Sequence, residues 1–336
     1  MKKITFLTVL MIGNLSIAQV NIADLLAAGV NDVKRFTTDY IAPAGEGLAY
    51  GINNGWSNNA KAPKRFNVEL SIIGNAGFIK DEKKTFLLNV SEYENVRFED
   101  NNPSKMVATA LGHNDPDIKF ILTYDDPIFG NQEVELTLPT GIGSENVNLI
   151  PTGFLQAGFS PFKGTQVKAR YFPKTKAGDA EISLYGFGLQ QEFTSWLPAD
   201  KAIPVAISGL IAYTDLKGGY DFTETGVIEG QNQQIETEVG TLLLQLIVGT
   251  KLKIINFYGS LGYINGTSTT NLLGTYRITD GTFFSEDIID PFSIEQDISG
   301  MRTTIGANLK LGFFGINADY TLGKFNSATV GMNFSF

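Results

Sequence analysis

The chain has no cysteine and a single histidine, His113, so any chemistry must come from carboxylates, hydroxyls and amides. Thiol nucleophiles, disulfide frameworks, cysteine zinc sites and centres needing two imidazole ligands are excluded. His113 lies in Gly112-His113-Asn114-Asp115-Pro116-Asp117, where a base for a serine nucleophile is one reading. Asn-Asp-Pro is turn chemistry, and no separate motif nominates a serine, so a solvated loop histidine is expected. Gly45, Gly47 and Gly51 approximate a phosphate loop, but the spacing is one residue off and no βαβ pattern surrounds them. The acidic pairs Asp125-Asp126 and Glu286-Asp287 lack the alternating ligands and closing Glu of a calcium loop. No catalytic, metal or cofactor site is expected, and the chain is not read as an enzyme.

The elements that remain must therefore position something other than reactive groups. The 336 residues are 43% hydrophobic and only 18% charged, with 36 Gly and 24 Phe, which rules out disorder and coiled coil. A net charge of −9 offers no footing for a phosphate backbone, so nucleic acid is not an expected partner. Lys2 and Lys3 precede the apolar run Ile4 to Ile12, and Ser16-Ile17-Ala18 supplies the small residues of a cleavage site. Residues 1–18 thus read as a signal peptide cut near Ala18-Gln19, leaving an exported chain. The longest later apolar patch, Leu242 to Val248, is already interrupted by Gln245. If the chain enters a membrane it does so as a closed barrel, since strands otherwise leave backbone groups unpaired in lipid.

Alternation with period two is regular toward the C-terminus. Met301, Thr303, Ile305, Ala307, Leu309 and Leu311 share one parity; Arg302, Thr304, Gly306, Asn308, Lys310 and Gly312 share the other. Ile316 to Gly323 and Ala328 to Phe336 repeat the pattern. Turns around Phe313-Phe314 and Lys324 to Asn326 would set Lys310 opposite Asn317, and Tyr320 opposite Val330, keeping like faces together. The polar parity is Gly, Ser, Thr and Asn with few charges, which suits a wet or crowded lumen; the apolar parity suits lipid. Phe313, Phe314, Tyr320, Phe325, Phe334 and Phe336 stand near strand ends, as interfacial girdles do.

Further strands are expected at Val205–Tyr213, Thr241–Gly249, Ile254–Ile264, Glu181–Gln191, Gln166–Phe172, Gly153–Phe159, Gln132–Leu138 and Ile118–Tyr124, with Phe66–Ile73 and Lys84–Val90 before them. Short links at Ser160–Gly164, Thr250–Lys253 and Gly312–Gly315 alternate with long ones at Thr214–Gly240 and Asn265–Ser299. The weak strand Leu272–Ile278 is placed within the second long loop. Both long loops are acidic, fit to stay solvated or to hold divalent cations against anionic headgroups. The expected fold is all-β: a transmembrane antiparallel β-barrel of about 12–14 strands over residues 66–336.

The signal peptide, the alternating strands and the final strand Val330-Gly331-Met332-Asn333-Phe334-Ser335-Phe336 together resemble bacterial outer-membrane β-barrel proteins, most closely an uncharacterised Gram-negative family of them. A weaker likeness is to the hatch-bearing, fatty-acid-type transporters of hydrophobic compounds. The resemblance implies an outer-membrane location, lipid and lipopolysaccharide as surroundings, and the barrel-assembly machinery as the partner of the strand ending in Phe336.

Residues 19–65 differ from the rest. Ile22, Leu25, Leu26, Val30, Val33, Phe36, Thr37 and Tyr40 form a helical stripe, with Asn21 and Asp24 as candidate caps. Pro43 is expected to end this helix, and the Gly- and Asn-rich Gly45–Trp56 to loop. The segment is either a plug, with Leu26, Val33, Phe36 and Tyr40 as its packing residues, or a helix closing the periplasmic end. The expected function is a channel or transporter for small, including hydrophobic, molecules. Its lumen would be lined by Arg302, Asn308, Lys310, Asn317, Asp319 and Asn333, with a diagonal Lys310–Asp319 ion pair. The alternative is a structural or surface-interaction barrel with a blocked lumen and partner-binding loops.

Overall fold

The computed structural model describes residue 26 and residues 29–126, 130–198, 204–221, 230–280 and 284–336; the expected signal peptide and caps lie outside these. Helix α1 (Val30–Ile52) comes first. The strands are β1 (Val68–Phe78), β2 (Thr85–Asn89), β3 (Val96–Phe98), β4 (Ser104–Ala108), β5 (Lys119–Asp126), β6 (Gly130–Thr137), β7 (Leu149–Phe159), β8 (Thr165–Ala177), β9 (Ala180–Glu192), β10 (Val205–Asp221), β11 (Gly230–Thr250), β12 (Ile255–Asp280), β13 (Phe284–Ile289), β14 (Phe292–Leu311), β15 (Phe314–Leu322) and β16 (Asn326–Ser335).

Ten strands close an antiparallel barrel in the order β11-β10-β9-β8-β7-β1-β16-β15-β14-β12, with β12 pairing back onto β11. Closure leaves the barrel no unpaired edge, which lipid would penalise. The expected 12–14 strands are therefore too many. Lys84–Val90, Ile118–Tyr124 and Gln132–Leu138 fall in two small separate sheets, β2-β4 and β3-β5-β6. These form a cap between β1 and β7, and a half-buried cap strand alternates with the same period as a membrane strand.

Facing follows the alternation. Met301, Ile305 and Leu311 are exposed on the outer surface while Arg302, Thr304 and Asn308 are buried on the inner one. The exposed belt continues through Leu70, Ile72, Leu155, Phe187, Leu189, Ile211, Leu244, Leu246, Phe257, Leu261 and Val330. Both C-terminal hairpins sit two residues away from the expected register: Lys310 faces Gly315, Asn308 faces Asn317, and Tyr320 faces Ala328. A shift of two preserves every side chain's face, so alternation alone cannot detect it. The turn is the two-residue Gly312-Phe313, with Gly312 at φ 67°, a left-handed position that glycine holds without strain. Phe313 stacks with Phe336 and Phe314 packs on Phe334 at this rim. Phe325 is no girdle residue; it turns inward and is 1% exposed.

The expected long loops are ladders instead. Thr214–Gly240 largely belongs to β10 and β11, and Asn265–Ser299 to β12, β13 and β14, with Leu272–Ile278 the outward continuation of β12. Beyond the bilayer neither face needs to be apolar, so alternation fades while the backbone ladder carries on. With 26 residues in β12 against 9 in β15, the barrel has a tall wall on one side and a low rim on the other.

Helix α1 fills the space within. Its first half lies between the tall wall and the cap: Leu26 and Val33 pack with Leu272, Tyr276, Phe292 and Ile294. Phe36 stacks on Tyr40 at 5.6 Å and packs on Phe86 of the cap. The Asp32 carboxylate accepts from the Glu94 and Asn95 backbone N–H groups, tying the helix to the cap. Pro43 does not end the helix, which runs on to Ile52. Pro43 brings no N–H to the helix ladder, and the cap residue Ala110 donates its own N–H to the nearby Tyr40 carbonyl at 2.8 Å. The glycines that looked like a loop are contact points. A Cβ on Gly47 would collide with Ile150 and Phe325, and one on Gly51 would stand 3.0 Å from Thr152 Cγ2.

The outward assignment predicts that Val330→Arg costs about 2–4 kcal/mol at the bilayer midplane, whereas Leu311→Arg, next to the interface, costs about 0–1 kcal/mol. Denaturant unfolding from lipid vesicles measures both; equal costs contradict the placement of the belt.

Candidate functional site

After Ile52 the chain leaves the helix and descends the lumen to the rim opposite the cap. Polar groups of the wall meet it at almost every residue. Asn53 Nδ2 donates to Thr241 Oγ1 at 2.7 Å, and Asn54 Nδ2 to Asn75 Oδ1 at 2.8 Å and Ser327 Oγ at 2.9 Å. Trp56 Nε1 donates to Thr214 Oγ1 at 3.2 Å, while its ring fits over Gly186 and Gly188, where any Cβ would crowd it. Lower down, Gln190 Nε2 donates to the Asn59 carbonyl, Ser208 Oγ to the Ala60 carbonyl, and Ala62 N–H to Glu192 Oε2.

Two cations carry the strongest of these contacts. Arg170 donates to the Ile52 carbonyl at 2.6 Å and to Gln156 Oε1 at 2.9 Å, sandwiched between the rings of Trp56 and Phe154 at 4.0 and 3.8 Å. Lys168 donates to the Trp56 carbonyl at 2.6 Å and to Gln190 Oε1 at 2.9 Å. Both side chains are fully buried. Arg170 caps the last carbonyl of α1, which has no partner within the helix and a partial negative charge, and Lys168 holds a carbonyl four residues beyond it. Neither was singled out from sequence, although Gln166, Lys168, Arg170 and Phe172 share one parity of their strand, two cations on its inward face.

The expected lining residues all take inward positions but form no single cluster. Arg302 reaches Asn54 of the plug and Thr321 Oγ1. Asn333 Nδ2 donates to Asn317 Oδ1 at 2.8 Å, and Asn333 Oδ1 accepts from Ser71 Oγ at 2.7 Å. Asp319 does not pair with Lys310: it accepts from Tyr258 Oη at 2.8 Å. The two-residue shift sets Asp319 across from Gly306, and the missing Cβ there leaves room for the tyrosine. Asn308, with the exposed Lys310, lines the open recess at the far mouth. Of the expected plug residues, Leu26, Val33 and Tyr40 are buried and Phe36 is half-buried against the cap.

At the cap-side rim, Glu46 of α1 pairs with Lys83 of the cap at 2.6 Å and with Lys324 of the β15–β16 turn at 2.8 Å. Burial works against ionising Glu46, but the Lys324 and Lys83 ammonium groups outweigh it and hold the carboxyl below its ordinary range. One carboxylate thus joins plug, cap and barrel.

Between α1 and strands β7–β10 lies a cavity of about 50 Å³, lined by Leu48 and Ile52 of the helix, Phe154, Phe172, Leu184 and Leu216 of the wall, and Leu111 of the cap. Inward-facing positions of a membrane barrel are ordinarily polar, so this apolar quadrant is a departure. His113 is exposed on the cap, and no His, Asp or Glu grouping fit to hold a metal occurs among the described residues.

The family described as "Family of unknown function (DUF6588)" matches residues 1–336, and the chain belongs to it. No curated relative matches the chain in sequence. Similar solved structures include Ail, the attachment invasion locus protein of Yersinia pestis, at 11% identity, covering 81% of this chain and 100% of that one with a TM-score of 0.21. The translocator domain of the autotransporter NalP from Neisseria meningitidis is 10% identical, covering 90% and 98% with a TM-score of 0.30. A Pseudomonas aeruginosa FadL homologue is 9% identical, covering 87% and 96% with a TM-score of 0.25.

Two outcomes follow from the pinning contacts. With Trp196→Phe as background, Trp56 is the single indole, and Arg170→Ala leaves the Ile52 carbonyl and Gln156 without a donor beside a new void. The plug should loosen by about 2–4 kcal/mol and Trp56 emission should shift to the red; unchanged emission counts against the pin. Glu46 contributes stability that is complete above its unfolded value of 4.5 and lost as pH falls through the lower folded value. Glu46→Gln should therefore flatten that acid limb of the stability curve, as followed by the same emission.

Proposed function

We propose that this protein is an outer-membrane barrel that admits small apolar molecules and is gated by its own N-terminal plug. The observation that carries this reading is the apolar cavity, built jointly by plug, wall and cap inside the lumen. A solute of low polarity would gain by leaving water for that quadrant, and α1 is the element it would have to displace to pass. The apolar outer belt and the closed backbone ladder support the membrane setting, and the N-terminal export pattern supports the outer membrane.

A second reading, a structural or surface-interaction barrel with a permanently blocked lumen, is favoured by the density of hydrogen bonds on residues 52–62. One experiment separates the two. The chain has no cysteine, and a Cβ on Gly45 stands 3.2 Å from that of Ser268, a few tenths short of the usual disulfide spacing. Gly45→Cys/Ser268→Cys therefore locks the plug to the tall wall under oxidation. Uptake of a small apolar fluorophore by liposomes holding the reduced protein should fall at least about tenfold on oxidation and return with reductant. No uptake beyond that of protein-free liposomes in either state favours the blocked barrel, and equal uptake beyond it contradicts gating by the plug.

A further inference from the structure

The mouth opposite the cap holds a recess of about 470 Å³, roomier than the apolar cavity and half polar in its walls. Lys61 and Lys64, from the chain leaving the plug, line it together with Lys251 and Lys253 of the β11–β12 turn and Lys310 of β14. Among the described residues the only carboxylate in the lining is Glu69, which is buried and engaged by Asn58 Nδ2 and Ser335 Oγ. Lys251 lies 3.6 Å from Glu192, whereas Lys61, Lys64, Lys253 and Lys310 form no ion pair among the described residues. This concentration of positive charge is out of keeping with a chain whose net charge is −9.

A second observation points the same way. Gln166 also lines the recess, is 3% exposed, and its amide Nε2 has no acceptor among the described residues. Buried donors ordinarily find a partner. The site thus offers ammonium groups, with an unused amide N–H buried in its wall, and wants an acceptor carrying negative charge.

We propose that this recess binds a small phosphoryl anion, held by lysines from both the plug and the barrel. Lysines bind phosphate as point charges, and a concave low-dielectric wall strengthens their field. The recess is built from inward-facing residues such as Asn256, Asn308 and Asn333, so a free solute fits it better than a headgroup in the surrounding leaflet. Because Lys61 and Lys64 follow the plug while Lys253 and Lys310 belong to the wall, the bound anion would bridge them and hold the plug's exit in place. The site stands apart from the apolar cavity, and its test does not depend on transport.

Isothermal titration of pyrophosphate into the full folded chain in detergent at low salt tests it. Saturable binding is expected, weakened at least about tenfold by Lys253→Ala/Lys310→Ala and likewise by Lys61→Ala/Lys64→Ala, and unchanged by Lys174→Ala on the cap side. Heat-modifiable gel mobility checks that each variant is folded, and two independent lysine pairs keep the result interpretable if one fails that check. No saturable heat, or equal affinity in both pairs and the parent, overturns the proposal. In nanodiscs, pyrophosphate affinity should be the same with zwitterionic lipid and with phosphatidylglycerol. Competition by phosphatidylglycerol would assign the recess to lipid headgroups and overturn the solute reading.

Discussion

Two cations buried inside a membrane barrel, Lys168 and Arg170, are the constraint around which the rest is organised. Stripping such charges of water costs several kcal/mol each, and no carboxylate among the described residues is hydrogen-bonded to either. What makes them tolerable is the plug backbone: Arg170 meets the Ile52 carbonyl at the negative end of α1, and Lys168 meets the Trp56 carbonyl four residues beyond it. The reverse also holds, since those carbonyls would be left unpaired in the lumen without the cations. Plug and wall therefore each supply what the other would be unstable without.

That mutual need explains features that look unrelated. A ten-strand barrel is narrow, so the helix that reaches the cations must be slim where it passes the wall, hence Gly45, Gly47, Ala49 and Gly51 at its contact points. Trp56 lies flat against Gly186 and Gly188 for the same reason, and completes the stack on Arg170. The upper half of α1 has no barrel around its whole circumference, so the tall wall and the cap cover it from two sides. Glu46 sits where helix, cap and low rim meet and pairs with Lys83 of the cap and Lys324 of the β15–β16 turn. The apolar quadrant is then the space left between the helix and β7–β10, bordered by the Arg170 pin at Ile52 and Phe154.

The barrel itself was legible because lipid enforces period two: wherever a strand crosses the bilayer, one parity must be apolar, and Met301 to Leu311 shows it. Legibility ended where that demand ends. Outside the membrane β10 to β14 keep their ladder without alternation and read as loops, while the cap strands alternate for reasons of their own and inflated the count. Register shifts of two residues are invisible to parity, which is why the Lys310–Asp319 pair was misplaced. Pro43 and the glycines after it read as a helix stop, because local propensity contains no information about a lumen that demands small residues. The inward parity of Lys168 and Arg170 was readable, but their partners on the plug are backbone carbonyls, which leave no mark on a sequence.

The most direct test of a plug held by the wall is hydrogen–deuterium exchange of the native chain in lipid. The amides of residues 44–56 should be protected to nearly the same degree as those of β8 and β9, since they can open only when the buried contacts of Lys168 and Arg170 are broken. Exchange of those amides within seconds, while the strands stay protected, would show a helix that merely rests in the lumen and would contradict the account.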